Sequence, residues 1–255
     1  MASILDKYGV KEVADLTFYE INDDGTTGAP ALYIDTAKVS TIEQTADDTS
    51  AMGGKGNAKL ITWDFNKEIT VTIEDALFSA KSMAIMFGNG KVKTDLTQLK
   101  RTISWVATSA TDNGKPTKFS GPQGKEYTIP TAKATTYDGT GTSVTSFSAG
   151  ETYYTTFDMP ITDSRVIEIS SDSFPGTYMV TGDTYVRRES NGIDEFFQFI
   201  VPKAKMQSGN TITLEAEGDP SVFNLNLTVL RPADGIMMKL VAYDMTEISG
   251  SYRRE

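Results

Sequence analysis

Apolar and polar residues alternate along most of the chain, which is the period expected of β-strands that bury one face. The clearest example lies near the C-terminus, where Phe223, Leu225, Leu227 and Val229 alternate with asparagine and threonine. Turn residues separate many such segments. The predicted strands are 15–21, 31–35, 37–44, 100–110, 152–160, 165–170, 177–188, 195–202, 211–216, 222–231 and 236–244. This pattern predicts an all-β fold with antiparallel strands, arranged as a sandwich or a partly open barrel.

One segment changes from a strand period to a helix period with no linker between them. Residues 59–65 and 68–74 alternate and predict a hairpin with its turn at Asn66-Lys67. The apolar positions then follow one helical stripe, which predicts a flanking α-helix over 75–88, with Asp75 as N-cap and Gly88 as C-cap. The apolar face of the first strand consists of Ile61, Trp63 and Phe65.

This helix carries more apolar surface than a contact with one sheet requires. Leu77, Ile85 and Met86 widen the stripe beyond Met83 and Phe87. Two interpretations remain open: the helix plugs the end of the sheet, or part of its surface packs against a neighbouring subunit.

Other regions lack a clear apolar period, and we predict a single domain over 1–255 with these regions as appendages. Residues 1–14 form an N-terminal arm and 245–255 a C-terminal tail. Residues 44–58 are polar and contain Gly-Gly-Lys-Gly-Asn, which predicts a long exposed loop. Residues 110–150 are rich in glycine, serine and threonine and predict a surface insertion with a few edge strands.

The composition excludes several kinds of chemistry. The chain of 255 residues contains no cysteine and no histidine, which excludes disulfides, thiolate and histidine catalysis and the usual zinc sites. Its net charge of −10 disfavours stable binding to nucleic acid. No apolar run approaches the roughly 20 residues that a membrane span needs.

No motif reaches the specificity of a catalytic or cofactor signature. The segment "GGKGN" lacks the spacing of a phosphate-binding loop, and a calcium loop starting at Asn22 would place Thr27 and Tyr33 where glycine and glutamate are required. We therefore predict no enzyme activity, no cofactor and no metal. Aromatic residues at Tyr153, Tyr154, Phe157, Phe196, Phe197 and Phe199 could form a sugar-stacking platform, although core packing explains their alternation better.

The order of these segments resembles the tail tube proteins, or major tail proteins, of tailed bacteriophages. The resemblance rests on the loop–hairpin–helix segment at 33–88, on the closing strands at 215–244 and on the opening at 4–21. It covers about two-thirds of the chain and is weakest over 110–160.

The resemblance implies a virion structural protein that forms hexameric rings. The rings would stack into a hollow tube, and each subunit would contribute strands to a continuous inner β-barrel. The tube would let DNA pass without specific binding during delivery into the host. Further partners would be the tape measure, baseplate or tail-tip and terminator proteins, with assembly in the host cytoplasm and no membrane.

The resemblance also implies which segments contact a neighbouring subunit. The loop at 44–58 would reach the adjacent ring, and the helix at 75–88 would lie near a subunit boundary. The expected self-assembly interface is Asp47, Asp48, Met52, Gly53, Gly54, Lys55, Gly56, Asn57, Leu77, Met83 and Phe87.

Other functions compete with this one. A tail terminator or a head decoration protein would form rings or capsid contacts without long stacks. A carbohydrate-binding β-sandwich would expose its aromatic residues in a monomer. A hydrolase with two carboxylates would need a spacing that nothing in the sequence favours.

Overall fold

The chain divides into two compact units. The larger unit comprises residues 1–92 and 167–255, and the inserted unit comprises residues 93–166. The computed structural model describes residues 7–88, 90–110, 115–213 and 222–244. Most of the predicted arm's helical turn and the whole tail at 245–255 lie outside them.

Strands dominate both units, and one α-helix occurs among the described residues. The elements of the larger unit are β1 (Tyr8–Val10), β2 (Asp15–Ile21), β3 (Thr27–Ile34), β4 (Ala37–Gly53), β5 (Ala58–Asp75), α1 (Ala80–Phe87), β11 (Thr177–Arg188), β12 (Asp194–Met206), β13 (Phe223–Val229) and β14 (Lys239–Tyr243). Those of the inserted unit are β6 (Gln98–Val106), β7 (Lys118–Ser120), β8 (Glu126–Thr128), β9 (Thr135–Tyr137) and β10 (Thr152–Pro160). The predicted all-β fold with one flanking helix is confirmed.

The larger unit is built on one antiparallel sheet of nine strands. Its order is β3-β2-β11-β12-β13-β5-β4, with β1 paired to β11 and β14 paired to β12. β13 pairs with one end of β12, at 204–206, and β14 pairs with the other end, at 196–200. Within the described residues no pairing joins the end strands β3 and β4, so the sheet stays open.

Alternation along these strands places one face of the sheet in a single core. In β5, for example, Val71 and Ile73 are fully buried, while Thr70 and Thr72 point to the other face and are partly exposed. Burial of each such side chain contributes about 1.5–3 kcal/mol. The fully buried large side chains of this core are Leu16, Phe18, Val71, Ile73, Ile85, Met86, Val180, Val201, Met206, Leu225 and Leu227.

Close packing in this core leaves no room for a side chain at Gly182. A Cβ atom on Gly182 would lie 2.1 Å from Cε1 of Phe199, its cross-strand partner on β12. We expect Gly182→Ala to lower the free energy of unfolding by about 1–3 kcal/mol, because the buried ring must move. Urea denaturation measures this change, with Gly209→Ala as control because a Cβ there meets nothing within 4 Å. Equal midpoints for the two variants would contradict the packing.

α1 is shorter than predicted and begins at a different cap. Ser79 is the N-cap: its Oγ accepts from Ser82 N at 3.0 Å, and Ser82 Oγ accepts from Ser79 N at 2.9 Å. Asp75 was predicted as N-cap, and this is wrong because Asp75 still belongs to the β5 ladder, paired with Ala37. Gly88 is the C-cap as predicted.

The inserted unit has its own sheet and its own core. β10 pairs with both β6 and β9, while β7 and β8 form a separate hairpin. The indole of Trp105 packs against Phe147 and Tyr153 beside buried Ala107. The unit extends beyond the predicted insertion at 110–150, because the β6–β10 pairing lies outside that range.

Two predicted strands are corrected by the structure. Residues 165–170 form only an isolated bridge, in which Val166 pairs with Lys93. Ile169 is exposed, so the apolar alternation of this segment does not bury Ile169 in the core. Residues 211–213 of the predicted strand 211–216 are not extended in a sheet, and the others lie outside the described residues.

Candidate self-assembly surface

The β4–β5 hairpin projects beyond the sheet that supports it. The two strands pair from Ala37–Asp75 to Gly53–Ala58, but β13 contacts β5 only between Thr70 and Asp75. Residues 44–69 therefore form a two-stranded ribbon with no third strand beside it in the described part of the chain. At about 3.3 Å per residue, this ribbon extends the sheet by about 35 Å.

Most of the predicted loop at 44–58 is strand, and the prediction is corrected accordingly. Only residues 54–57 form the turn, in which Gly54, Gly56 and Asn57 have φ angles of 79°, 88° and 51°. Such positive φ angles favour glycine and asparagine. The loop prediction failed because residues 44–53 are polar on both faces, so their strand period leaves no trace in hydropathy.

A bulge reverses the faces of β5 within the hairpin. Thr45 pairs with Glu68 but Asp47 pairs with Phe65, so β5 contains one extra residue, and Asn66 there has a φ of 51°. The predicted turn at Asn66-Lys67 is therefore a bulge in a continuous strand. Between this bulge and a second register shift after Ile61, the odd-numbered residues of β5 lie on the face opposite the core.

This reversal exposes an apolar stripe, which consists of Ile61, Trp63 and Phe65. The three side chains share one face, as their alternation predicts, and are 56%, 53% and 47% exposed. These three residues are not among the interface residues expected from the sequence. The sequence shows that the three residues are apolar and share one face. It does not show the bulge that turns this face away from the core.

The opposite face of the ribbon is polar. Lys59 Nζ lies 3.5 Å from Asp48 Oδ2, and the Ser50 and Thr62 hydroxyls are 3.0 Å apart. The ribbon is thus amphipathic even though nearly all of it is solvent-exposed.

The predicted interface residues separate into two groups. Asp47, Asp48, Met52, Gly53, Gly54, Lys55, Gly56 and Asn57 lie on the ribbon or its turn. Leu77, Met83 and Phe87 lie at the other end of β5 and on α1. Leu77 is 63% exposed, whereas Met83 and Phe87 are partly buried and Phe87 packs against the core.

A cavity of about 210 Å³ lies where β5 ends and α1 begins; we call it the α1 pocket. Its lining includes Asp35, Asp75, Leu77 and Phe78. The buried carboxylate of Asp75 accepts hydrogen bonds from Thr36 Oγ1 and from the Leu77 backbone N–H. Phe78 is 54% exposed.

A ring contact and a tyrosine border the α1 pocket. The Phe78 ring lies 4.5 Å from that of Phe223 between centroids, which fixes its position at the rim. Tyr33 also lines the pocket. Loss of solvent raises the pKa of the Tyr33 phenol, and the nearby charge of Asp15 adds to the shift.

A polar face covers β4, β5 and β13 on the side away from the core. Cross-strand neighbours on this face are Glu74 with Asn224, Thr72 with Asn226 and Thr70 with Thr228. β4 adds Thr41 and Glu43 opposite Thr72 and Thr70. The face therefore presents mainly hydroxyl, amide and carboxylate groups, together with Val39, which lies opposite Glu74 and is exposed.

The aromatic residues considered as a sugar platform do not lie together on one surface. Tyr153, Phe157 and Phe199 are buried, and Tyr154 is exposed. Phe196 instead contacts Tyr185 and Tyr243. No group of three or more carboxylates among the described residues could hold a metal ion. Within the same residues, no helix is long and apolar enough to cross a membrane.

The class of protein follows from this architecture and from comparison with known families. Open strand edges and an exposed apolar stripe on a projecting hairpin are features of a surface that contacts another protein chain. The chain belongs to the YomU/Tube protein family, whose sequence model matches residues 8–241. It is thus a phage tube-type structural protein, and the suspected relationship to tail tube proteins is confirmed. No curated protein matches the chain.

Proposed function

We propose that this protein self-assembles into stacked rings, each of six subunits, that form the phage tail tube and conduct DNA into the host. The β4–β5 hairpin carries the proposal. Beyond its base, the ribbon of about 35 Å pairs with no third strand of the described chain, and its exposed stripe of tryptophan, phenylalanine and isoleucine would be stabilised by burial against a partner. Family membership makes copies of the same chain the natural partner.

Open strand edges support the same proposal. Among the described residues, β3 and β4 end the sheet order and have no strand paired to their outer sides. Pairing between neighbours in a closed ring satisfies these groups and removes the edges that otherwise promote aggregation. The inner strands of the ring would then form one continuous β-barrel.

The polar face of β4, β5 and β13 is the proposed wall of the bore. Hydroxyl and amide groups with Glu43 and Glu74 offer DNA phosphates no cation to bind, so DNA passes without specific contacts. The inserted unit contains eight Lys or Arg and seven Asp or Glu, so the acidic excess of the chain lies in the larger unit.

Membership in a structural family favours a role without catalysis. We propose that the tube contacts the tape measure protein inside, the tail-tip or baseplate at one end and the terminator at the other. Assembly of the rings would take place in the host cytoplasm.

The inserted unit is proposed to be an appendage that the tube does not require. Within the described residues, its strands pair only with one another, and Lys93 and Val166 exchange backbone hydrogen bonds of 2.9 and 2.8 Å at its base. We expect a variant with a short Gly-Ser linker in place of 93–166 to fold and form tubes. Circular dichroism and electron microscopy measure this, and loss of the folded larger unit would contradict it.

Negative-stain electron microscopy of the purified protein tests the proposed function. Low and high protein concentrations are compared, with sedimentation velocity on the same samples. Hollow tubes of constant bore are the expected result. Single rings or short double rings at every concentration would instead favour a terminator, and a stable monomer would contradict self-assembly.

A further inference from the structure

The hairpin turn and the α1 pocket lie at opposite ends of the same strand. β5 begins at Ala58, directly after the turn, and ends at Asp75, which lines the pocket. Eighteen residues of strand span about 55 Å. One subunit therefore presents two different surfaces that cannot contact each other within the same chain.

These two surfaces are complementary in charge. The turn carries Lys55, which makes no ion pair among the described residues, whereas Lys59 lies beside Asp48. The α1 pocket carries the carboxylates of Asp35 and Asp75, and no ion pair neutralises either of them in the described part of the chain. A buried carboxylate such as Asp75 is stabilised when a cation approaches it.

The two surfaces also match in apolar character. Near the turn, Met52 and Leu60 are 49% and 65% exposed. At the pocket rim, Leu77 and Phe78 are similarly exposed, and the pocket itself is concave. A contact between these groups buries apolar area on both sides around a central charged pair, which is the common anatomy of a specific interface.

We propose that the hairpin turn of one copy docks in the α1 pocket of a second copy, with Lys55 facing Asp35 and Asp75. Because the two surfaces differ and lie at opposite ends, the contact is heterologous and repeats along an axis. Because the ribbon projects about 35 Å beyond its sheet, we assign this contact to successive rings of the proposed tube. This inference rests on the proposed function and assigns the inter-ring contact to named residues.

Chemical cross-linking tests the contact directly. The chain contains no cysteine, so Ala58→Cys with Leu77→Cys introduces the only thiols and keeps Lys55 in place. A short bismaleimide is used because a disulfide requires Cα atoms within about 7 Å. Since these positions are about 55 Å apart in one chain, a link between them joins two copies.

We expect assembled tubes of this variant to give a ladder of covalent oligomers on a denaturing gel. The matched control is Ala58→Cys with Ile193→Cys, which has a similarly exposed partner residue in the turn between β11 and β12. Cross-linking should exceed that of the control by about tenfold, because proximity raises the effective concentration of the thiols. Tubes without this excess would overturn the docking and leave the proposed function standing, whereas the absence of any wild-type assembly would overturn both.

Charge reversal provides a second, independent test. Lys55→Asp and Asp35→Lys should each raise the protein concentration for half-assembly by about tenfold. The combined variant should assemble at a concentration close to that of the wild type. Asp23→Lys, in the exposed turn between β2 and β3, is the control and should assemble normally. Normal assembly of both single variants, or no recovery in the combined one, would overturn the proposal.

Discussion

Replacement of Trp63 by lysine is expected to abolish tube assembly and to leave the monomer folded. Trp63 lies in the middle of the exposed apolar stripe, opposite Thr49 on β4 and away from the core. Large aromatic residues at the centre of an interface commonly contribute 2 kcal/mol or more, so the concentration for assembly should rise by about 30-fold or more. Sedimentation velocity and electron microscopy measure assembly, and thermal unfolding measures the fold.

The neighbouring residue provides a matched control. Thr62→Lys introduces the same charge on the polar face of the ribbon, near the Ser50 hydroxyl and on the face that carries Asp48. We expect this variant to assemble like the wild type. Equal assembly of the two lysine variants would show that the apolar stripe is not an interface.

Replacement of Ile85 by aspartate is expected to unfold the larger unit. Ile85 has no exposed surface and belongs to the main core with Val71 and Leu225. A carboxylate buried there without a partner should lower the free energy of unfolding by about 5 kcal/mol or more. Urea denaturation followed by circular dichroism measures the loss.

Met83→Asp is the control on the same helix, because Met83 is only partly buried. We expect it to remain folded. Failure of folded Met83→Asp to form rings would support a subunit contact at α1, and normal tubes would restrict the helix to its role in the core. Equal stability of Ile85→Asp and the wild type would contradict the packing of α1.

The sequence was sufficient for the fold class because alternation survives wherever a strand buries one face. The strand at Asp15–Ile21 and that at Thr177–Arg188 were predicted with the observed bounds. Residues 44–53 were not, because this strand of the ribbon is mostly polar on both faces and has no apolar period to detect. The start of α1 was predicted wrongly because aspartate is a favoured N-cap residue, whereas Asp75 is the last paired residue of β5.

The candidate surface was predicted only in outline. The position of the turn at Gly54–Asn57 follows from its glycines, but the bulge at Asn66 depends on cross-strand register. That register decides which face Trp63 occupies, and pairing partners cannot be read from local periodicity. Likewise, the α1 pocket brings Asp35 and Asp75 together across 40 residues of hairpin.

An electron cryo-microscopy reconstruction of the wild-type assembly shows directly whether the hairpins join successive rings. We expect a hollow tube of stacked six-subunit rings, with each β4–β5 hairpin crossing to the next ring and with Glu43 and Glu74 towards the bore. A tube whose hairpins contact no neighbour, or a protein that stays monomeric at every concentration, would contradict this expectation.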